Sequence, residues 1–233
     1  MSRGDNLKKY KTILFDIDDT LFDFDKDQKI AFKNAISIIG YNCTDKMYNG
    51  YNEINLKLWN LLNEGKIGLQ ELFIKRIVDF FNEYNIKQEP EKFNKIYTQE
   101  FQKTGTPIEG VKDVLEKLKG NYELVIATNG PKEHQYQRIE NAGFSKYFSK
   151  IFTSEEVGFN KPDKKFFDKI FKDIENKDKT KILMVGDSLS SDIRGGTNSG
   201  IDTCWYNSKN IKNELNIKPT FEVNKLEEIF CYI

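Results

Sequence analysis

The sequence predicts an α/β fold in which a parallel sheet is covered by helices and is interrupted, after its first strand, by an all-helical insertion. Five short runs rich in β-branched or aromatic residues have the composition of buried strands. Helical patterns of ordinary length separate the later runs, and this alternation favours parallel pairing. The predicted strands are KTILFDI, YELVIATN, KIFTS, KILMVGD and IDTCWYN.

The predicted helices follow the same order along the chain. One precedes the second strand, and the others precede the third, fourth and fifth strands. They are EGVKDVLEKLKG, PKEHQYQRIENAGF, PDKKFFDKIFKDI and SSDIRGGTNSG. Because ligands of such sheets bind at the carboxyl ends of the strands, functional residues are expected there.

The insertion lies between the first strand and about residue 105, where apolar residues recur at spacings of three and four. NEGKIG and IKQEPE separate its helices, and KTGTPIEG returns the chain to the sheet with Gly and Pro. The predicted domains are therefore an α/β core of residues 1–22 and 106–233 and a helical domain of residues 23–105.

Composition narrows the possible partners and location. Lys and Arg number 36, as do Asp and Glu, so no basic surplus attracts nucleic acid or an anionic membrane. The three cysteines form no CxxC pair, which favours reduced thiols in the cytoplasm. The N-terminus has no apolar stretch typical of a signal peptide, and no run reaches the roughly 20 apolar residues of a membrane span. We therefore predict a cytoplasmic protein that binds neither nucleic acid nor membrane.

The stretch ILFDIDDTLF places acids directly behind the first strand. Asp16 and Asp18 are two residues apart and are expected to project to the same side, above the carboxyl edge of the sheet. Two carboxylates at such range repel each other unless a cation lies between them or one is protonated. Carboxylate oxygens suit Mg²⁺. The alternative is that Asp18 and Asp19 only end the strand and cap the next turn, where Asp is common.

Polar residues also follow the later strands. Thr128 and Asn129 end the second strand just before a helix, an arrangement suited to an anion and equally to an ordinary helix cap. Lys161 precedes another helix, and Asp187 and Asp192 follow the fourth strand. Each residue alone has an ordinary explanation as a cap or a solvated surface group. Their common position predicts one phosphate-sized site.

Four motifs in this order, DIDDT, ATN, NKP and GDSLSSD, resemble those of the haloacid dehalogenase superfamily. The resemblance covers nearly the whole chain and implies a Rossmann-like core with a helical cap inserted after the first motif. It also implies that Asp16 is a nucleophile that forms an aspartyl-phosphate, and that Asp18 acts first as acid and then as base. Mg²⁺ would be bound by the Asp16 carboxylate, the Asp18 backbone carbonyl and Asp187.

The same resemblance implies a phosphate-binding set. Thr128, the Asn129 N–H and Lys161 would bind the phosphoryl oxygens, and Asp192 would position Lys161 or a metal-bound water. Dehalogenase members lack an acid where Asp18 stands, because departure of a halide needs no proton. The acid therefore favours phosphoryl transfer, and DTL in place of DGV favours a phosphatase over a phosphomutase.

Two longer stretches carry a narrower resemblance. TNGPKEHQYQRIENAGFSKYFSKIFTSEEVGFNKP and LMVGDSLSSDIRGGTNSGIDTCWYN resemble the pyrimidine 5'-nucleotidase branch of the superfamily. This implies a small phosphate ester as substrate, a pyrimidine nucleoside monophosphate, and a housecleaning role in the nucleotide pool. One alternative is a phosphatase or phosphomutase acting on a sugar phosphate or another small phosphate ester. Another is a receiver-like signalling module, which also has an acid pair, a Thr, a Lys and Mg²⁺ but no inserted cap.

Overall fold

The computed structural model describes residues 9–233, and a single six-stranded sheet forms its centre. The strands are β1 (Thr12–Phe15), β2 (Glu123–Thr128), β3 (Lys150–Thr153), β4 (Ile182–Gly186), β5 (Asp202–Tyr206) and β6 (Phe221–Val223). They lie in the order β3-β2-β1-β4-β5-β6, and every neighbouring pair is parallel. The predicted parallel α/β sheet is confirmed.

Strand β6 is a difference from the prediction of five strands. It pairs with β5 so that Cys204 lies opposite Phe221. Val223 is buried and Glu222 is exposed, as expected for a short strand at the edge of a sheet. An alternation over three residues is too short to distinguish a strand from a loop in the sequence.

Helices occupy most of the remaining chain within residues 9–233. The α-helices are α1 (Phe24–Ile38), α2 (Asp45–Asn63), α3 (Leu69–Tyr84), α4 (Pro90–Gln102), α5 (Val111–Leu118), α6 (Lys132–Asn141), α7 (Ser154–Val157), α8 (Lys164–Asp173) and α9 (Arg194–Ser199). The stretch predicted as one helix before β5 is a π-helical turn, Leu189–Ile193, followed by α9. Hydrophobic spacing does not reveal such a change of hydrogen-bond pattern. Within these residues, no helix combines the length and apolarity needed to cross a membrane.

Both faces of β1 are covered, which holds its carboxyl end in a fixed place. Ile13 and Phe15 are buried in one apolar cluster with Leu115 of α5. Leu14 is buried in the opposite cluster with Phe166 of α8. Because alternate side chains of a strand point to opposite faces, this pattern places the strand centrally between two helical layers.

The chain divides into two compact units. One comprises the chain up to Phe24 together with Gly105–Ile233 and contains the sheet. The other, Asp25–Thr104, contains most of α1 and all of α2, α3 and α4. Below they are called the sheet unit and the helical unit.

Aromatic packing forms the interior of the helical unit. The ring centroid of Phe32 lies 4.0 Å from that of Tyr51 and 5.0 Å from that of Phe80. Trp59 and Phe73 meet edge to face at 6.5 Å. Such contacts stabilise a core beyond the area that the rings bury.

The chain leaves the sheet unit and returns to it at neighbouring points. Phe22 and Pro107 form an isolated antiparallel bridge. The N–H of Ile108 donates to the carbonyl oxygen of Leu21 at 3.0 Å. The two connecting segments are therefore paired with each other at the border of the sheet unit.

Candidate active site

The candidate site lies where three neighbouring strands end. Asp16 follows β1, Thr128 is the last residue of β2, and Asp187 comes directly after Gly186, the last residue of β4. The N–H of Asp16 donates to the carbonyl oxygen of Val185 at 3.0 Å, which extends the pairing of β1 and β4 by one residue. Because the strands are parallel, these residues gather at one edge of the sheet.

A buried ammonium group joins two acids at this edge. Lys161 lies between α7 and α8, and only 2% of it is exposed. Its Nζ donates to Oδ1 of Asp16 at 2.5 Å, to Oδ1 of Asp192 at 2.7 Å and to the carbonyl oxygen of Ala127 at 2.7 Å. All three N–H groups of the ammonium are used. This offsets the cost of burying a cation.

Asp192 is held in place by the π-helical turn after β4. The N–H of Ser188 donates to Oδ2 of Asp192 at 3.0 Å, while Oδ1 accepts from Lys161. Gly186 is required beside it, because a Cβ at that position would lie 2.3 Å from Oδ2 of Asp192. Both carboxylate oxygens of Asp192 are thus engaged within the protein.

Thr128 and Asn129 connect β2 to α6. The hydroxyl oxygen of Thr128 accepts from the N–H of Gly130 at 3.0 Å. The side chain of Asn129 donates to the backbone carbonyl of Lys161 at 3.0 Å and accepts from its N–H at 2.8 Å. Asn129 was expected to act through its backbone N–H, and the bracing of the Lys161 loop by its side chain was not predicted.

The carboxylate of Asp18 turns toward helix α6. Arg138 donates from Nη1 to Oδ1 of Asp18 at 2.6 Å, and Gln135 donates from Nε2 to Oδ2 at 2.8 Å. Gln135 and Arg138 are three residues apart, on one face of α6, and both are buried. Neither was predicted to belong to the site, because polar residues of a helix that covers a sheet usually face solvent. Their i, i+3 spacing after the second motif was the available signal.

The acids of the site crowd together. One carboxylate oxygen each of Asp16, Asp187 and Asp192 lie within 4.8 Å of one another. Burial raises the pKa of Asp16 to about 7, and the charges of Asp192 and Asp18 add to this rise, although Lys161 opposes it. Burial and the charge of Asp16 raise the pKa of Asp187 well above its usual value. Burial lowers the pKa of Lys161, but the adjacent Asp16 and Asp192 outweigh this and raise it overall.

The donor set fits a divalent cation. Three acids and one ammonium leave negative charge uncompensated, and a cation would relieve it. Among residues 9–233, Oδ2 of Asp16 and the carboxylate of Asp187 accept no hydrogen bond, whereas both oxygens of Asp192 do. Oxygen ligands of this kind suit Mg²⁺. The carboxylate of Asp18 is not part of the three-acid group, and the predicted ligation through its backbone carbonyl stays a prediction.

The backbone of Asp187 is held by two residues that the sequence did not single out for this task. Its N–H donates to Oγ1 of Thr20 at 3.1 Å, and its carbonyl accepts from Nε1 of Trp205 at 2.8 Å. Both side chains are buried. The carboxylate of Asp187 therefore starts from a fixed backbone position.

Asp19 has a structural role in the turn after β1, as expected if it caps this turn. Its φ of +60° lies in the left-handed region, which Asp tolerates better than most residues. Its Oδ1 accepts from the N–H of Phe24 at 3.2 Å, and its Oδ2 lies 2.8 Å from Nζ of Lys209. Asp19 thus shapes the turn after β1.

Comparisons with known proteins identify two pyrimidine 5'-nucleotidases as relatives of this chain. The pyrimidine 5'-nucleotidase PynA of Streptococcus pneumoniae is 35% identical over 221 residues, which are 94% of this chain and 93% of PynA. The pyrimidine 5'-nucleotidase YjjG of Escherichia coli is 34% identical over 221 residues, 95% of this chain and 96% of YjjG.

A solved structure is similar over nearly the whole chain. The magnesium-bound crystal structure of the HAD-hydrolase YfnB from Bacillus subtilis is similar with a TM-score of 0.92 and 34% identity, over 96% of this chain and 98% of that one. The haloacid dehalogenase-like hydrolase family matches residues 13–206, which include every predicted site residue. With this match across most of its length, the chain belongs to the haloacid dehalogenase-like hydrolase family.

Proposed function

We propose that this protein is a Mg²⁺-dependent phosphatase that hydrolyses pyrimidine nucleoside 5'-monophosphates through an aspartyl-phosphate. The observation that carries the proposal is the buried Asp16–Lys161–Asp192 group at the carboxyl edge of the sheet. Two pyrimidine 5'-nucleotidases with 34% and 35% identity over most of the chain support the substrate class.

The sheet unit supplies the residues for the chemistry and would be the catalytic core. Asp16 would attack phosphorus, forming a P–O bond while the bond to the 5'-oxygen breaks, and Asp18 would give that oxygen its proton. Water would then attack the phosphorus of the aspartyl-phosphate and give a proton to Asp18, which restores Asp16 and releases phosphate. Lys161 and the hydroxyl of Thr128 would stabilise charge on the phosphoryl oxygens.

A magnesium ion would complete the charge balance of this site. The open oxygens of Asp16 and Asp187, with the Asp18 carbonyl, would hold it, and Asp192 would instead keep Lys161 in place. When bound, the ion supplies positive charge that offsets the repulsion between a carboxylate and a phosphate dianion.

The helical unit would be the cap domain, close to the predicted residues 23–105. A cytoplasmic location and a role in clearing aberrant nucleotides stay predictions. A sugar phosphate remains the alternative substrate. The receiver-like alternative is not supported, because the chain belongs to a family of hydrolases.

A panel of phosphate esters tests the proposal. Purified protein with Mg²⁺ should release phosphate from UMP, dUMP and dTMP faster than from AMP, GMP, sugar phosphates or flavin mononucleotide. Chelation of the metal with EDTA should stop release, and added Mg²⁺ should restore it. A preference for a sugar phosphate would overturn the substrate assignment and leave the core chemistry standing.

A further inference from the structure

Two buried residues of α6 contact the site without having a part in the proposed chemistry. Gln135 donates from Nε2 both to Oδ2 of Asp18 at 2.8 Å and to Oγ1 of Thr128 at 3.2 Å. A single amide group therefore connects the proposed acid with the proposed phosphate-binding hydroxyl.

Arg138 determines which way this amide faces. Its Nη1 donates to Oε1 of Gln135 at 2.9 Å and to Oδ1 of Asp18 at 2.6 Å. With the amide oxygen occupied by a guanidinium, only the NH₂ group can point to Asp18 and Thr128. Arg138 is fully buried, and its guanidinium lies 5.1 Å from the centre of the Phe22 ring, which further limits its movement.

The contact with Gln135 also orients the hydroxyl of Thr128. A hydroxyl has one donor and two acceptor positions. The oxygen of Thr128 already accepts from the N–H of Gly130 at 3.0 Å and from Gln135. Its hydrogen has no acceptor within residues 9–233, and it is thereby directed to a group that the protein does not supply, such as a phosphoryl oxygen.

The backbone leaves room for this arrangement. A Cβ at Gly130 would lie 1.9 Å from Nε2 and 2.7 Å from Cδ of Gln135. Any larger residue would displace the amide from both of its acceptors. The loop after β2 and the helix α6 are thus packed closely around the amide of Gln135.

From these contacts we infer that Gln135 and Arg138 are positioning residues, which together orient the carboxylate of Asp18 and the hydroxyl of Thr128 for phosphoryl transfer. The inference rests on the proposed phosphatase function. The carboxylate of Asp18 has a donor on each oxygen, so its plane is held at one angle, and proton transfer requires such alignment. Both residues act through Asp18 and Thr128, and neither takes part in the proposed chemistry itself.

The test compares leaving groups. Gln135→Leu and Arg138→Met are assayed with UMP, whose alkoxide needs a proton, and with p-nitrophenyl phosphate, whose phenolate does not. We expect kcat/KM for UMP, which reports the steps up to departure of the leaving group, to fall about 10- to 100-fold, part of the usual contribution of a general acid. The value of kcat/KM for p-nitrophenyl phosphate should fall less than about fivefold, whereas slower hydrolysis of the shared aspartyl-phosphate lowers kcat for both substrates alike. Arg138→Lys should recover part of the loss, because it keeps one charged donor. Asp18→Asn should show the same dependence on the leaving group, more strongly.

Two further variants test whether the effect is specific to Gln135 and whether it persists if a variant fails to fold. Gln137→Leu changes an exposed amide on the same helix and should leave both activities unchanged. Gly130→Ala displaces Gln135 without replacing it and should reproduce the dependence on the leaving group even if the Arg138 variants fail to fold. Circular dichroism and thermal midpoints identify the folded variants.

The outcomes separate this inference from the proposed function. Weaker orientation of the Thr128 hydroxyl lowers both activities alike, whereas weaker orientation of Asp18 lowers mainly the activity that needs a proton. Equal losses of kcat/KM for the two substrates in Gln135→Leu and Gly130→Ala would therefore contradict the role toward Asp18 and overturn the inference. If the wild type prefers another phosphate ester to pyrimidine nucleotides, the proposed substrate is wrong, and the same comparison with that alkyl ester still decides the inference. Absence of any hydrolysis by the wild type would overturn both.

Discussion

One buried cation in each unit of the molecule is stabilised in a different way, Lys161 in the sheet unit and Arg76 in the helical unit. In the sheet unit, Lys161 has carboxylate oxygens of Asp16 and Asp192 at 2.5 and 2.7 Å. In the helical unit, Arg76 is only 4% exposed, yet within residues 9–233 no carboxylate lies at salt-bridge distance from it. Its Nη1 donates to Oδ1 of Asn55 at 3.1 Å, and its Nε has no hydrogen-bond partner among those residues.

Neutral groups surround the guanidinium of Arg76 instead. It lies 4.7 Å from the ring centre of Phe73 and 5.0 Å from that of Tyr97, distances typical of cation–π contacts. Asn55 in turn donates to Oε1 of Gln28 at 2.9 Å. The buried charge of Arg76 is therefore stabilised by aromatic rings and an amide.

This difference teaches that burial of a cation alone does not indicate its task. The ammonium of Lys161 lies between Asp16 and Asp192, which would otherwise repel each other. With Asp187 nearby, the three acids still outnumber this one cation. Such a group depends on every member. Among residues 9–233, the guanidinium of Arg76 has no carboxylate at salt-bridge distance, so its removal leaves no buried acid unpaired there.

The largest expected effect concerns the nucleophile. Asp16→Asn removes the attacking carboxylate while keeping its size, and we expect kcat to fall on the order of 10⁴-fold or more, as for other covalent nucleophiles. Initial rates with UMP and Mg²⁺ measure this, and circular dichroism checks the fold. Substantial residual turnover by a folded variant would contradict the assignment of Asp16.

Lys161→Met should strongly destabilise the protein. Removal of the ammonium leaves Asp16 and Asp192 buried without their partner, a change that typically costs about 3–5 kcal/mol. Urea unfolding in the absence of metal measures the free energy of unfolding. The control is Lys169→Met, whose exposed pair with Asp173 should contribute less than about 0.5 kcal/mol. A similar small loss in both variants would refute the dependence described for the sheet unit.

Mg²⁺ should stabilise the folded wild-type protein, because it offsets the repulsion among the acids of the site. At 100 times its dissociation constant, a ligand that binds only the folded state contributes about 2.7 kcal/mol. Thermal unfolding with and without Mg²⁺ should show the shift, and Asp187→Asn should remove it. Without metal, Asp187→Asn should unfold at or above the wild-type temperature, since it relieves repulsion. A Mg²⁺ shift that persists in this variant would exclude Asp187 as a ligand.

Arg76→Met replaces the buried cation of the helical unit with Met, as Lys161→Met does in the sheet unit. The loss of a buried, unpaired charge is favourable, whereas the loss of the bond to Asn55 and of ring contacts is unfavourable, and we expect a net change within about 1 kcal/mol. The experiment is the urea titration used for Lys161→Met. A loss as large as the one at Lys161 would abolish the contrast between the two units.

The smallest expected effect is at Tyr51, whose buried hydroxyl lies near Tyr97 but makes no hydrogen bond of normal geometry with the described residues. Tyr51→Phe should stabilise the protein by up to about 1 kcal/mol, because an unsatisfied polar group is removed. Tyr48→Phe is the matched comparison. The hydroxyl of Tyr48 donates to the carbonyl oxygen of Asp25 at 3.1 Å, so its removal should destabilise the protein. Thermal midpoints of the two variants should move in opposite directions.

The sequence was sufficient for the parts of the molecule that depend on position along the chain. Asp16, Thr128 and Asp187 each stand directly at the end of a predicted strand, and a parallel sheet necessarily gathers strand ends at one edge. The order of the motifs was sufficient to predict that Lys161 lies at the same site.

The parts that could not be predicted depend on which way a side chain turns. Gln135 and Arg138 lie on a largely polar helix, and its weak periodicity does not distinguish the buried face from the exposed one. The carboxylate of Asp18 was expected beside that of Asp16, but two strong donors on α6 hold it elsewhere. Burial of Arg76 has no signature in composition or spacing either.

The bridge between Phe22 and Pro107 makes the helical unit, in effect, a long loop of the sheet unit. Its ends are pinned at the separation of paired backbones, about 5 Å. The entropy lost on closing a loop grows only with the logarithm of its length, so each doubling of the loop costs about 0.6 kcal/mol. The segment is therefore exchangeable in principle: a short hairpin in its place should leave the sheet and its acid edge folded, and evolution could vary it independently of the chemistry.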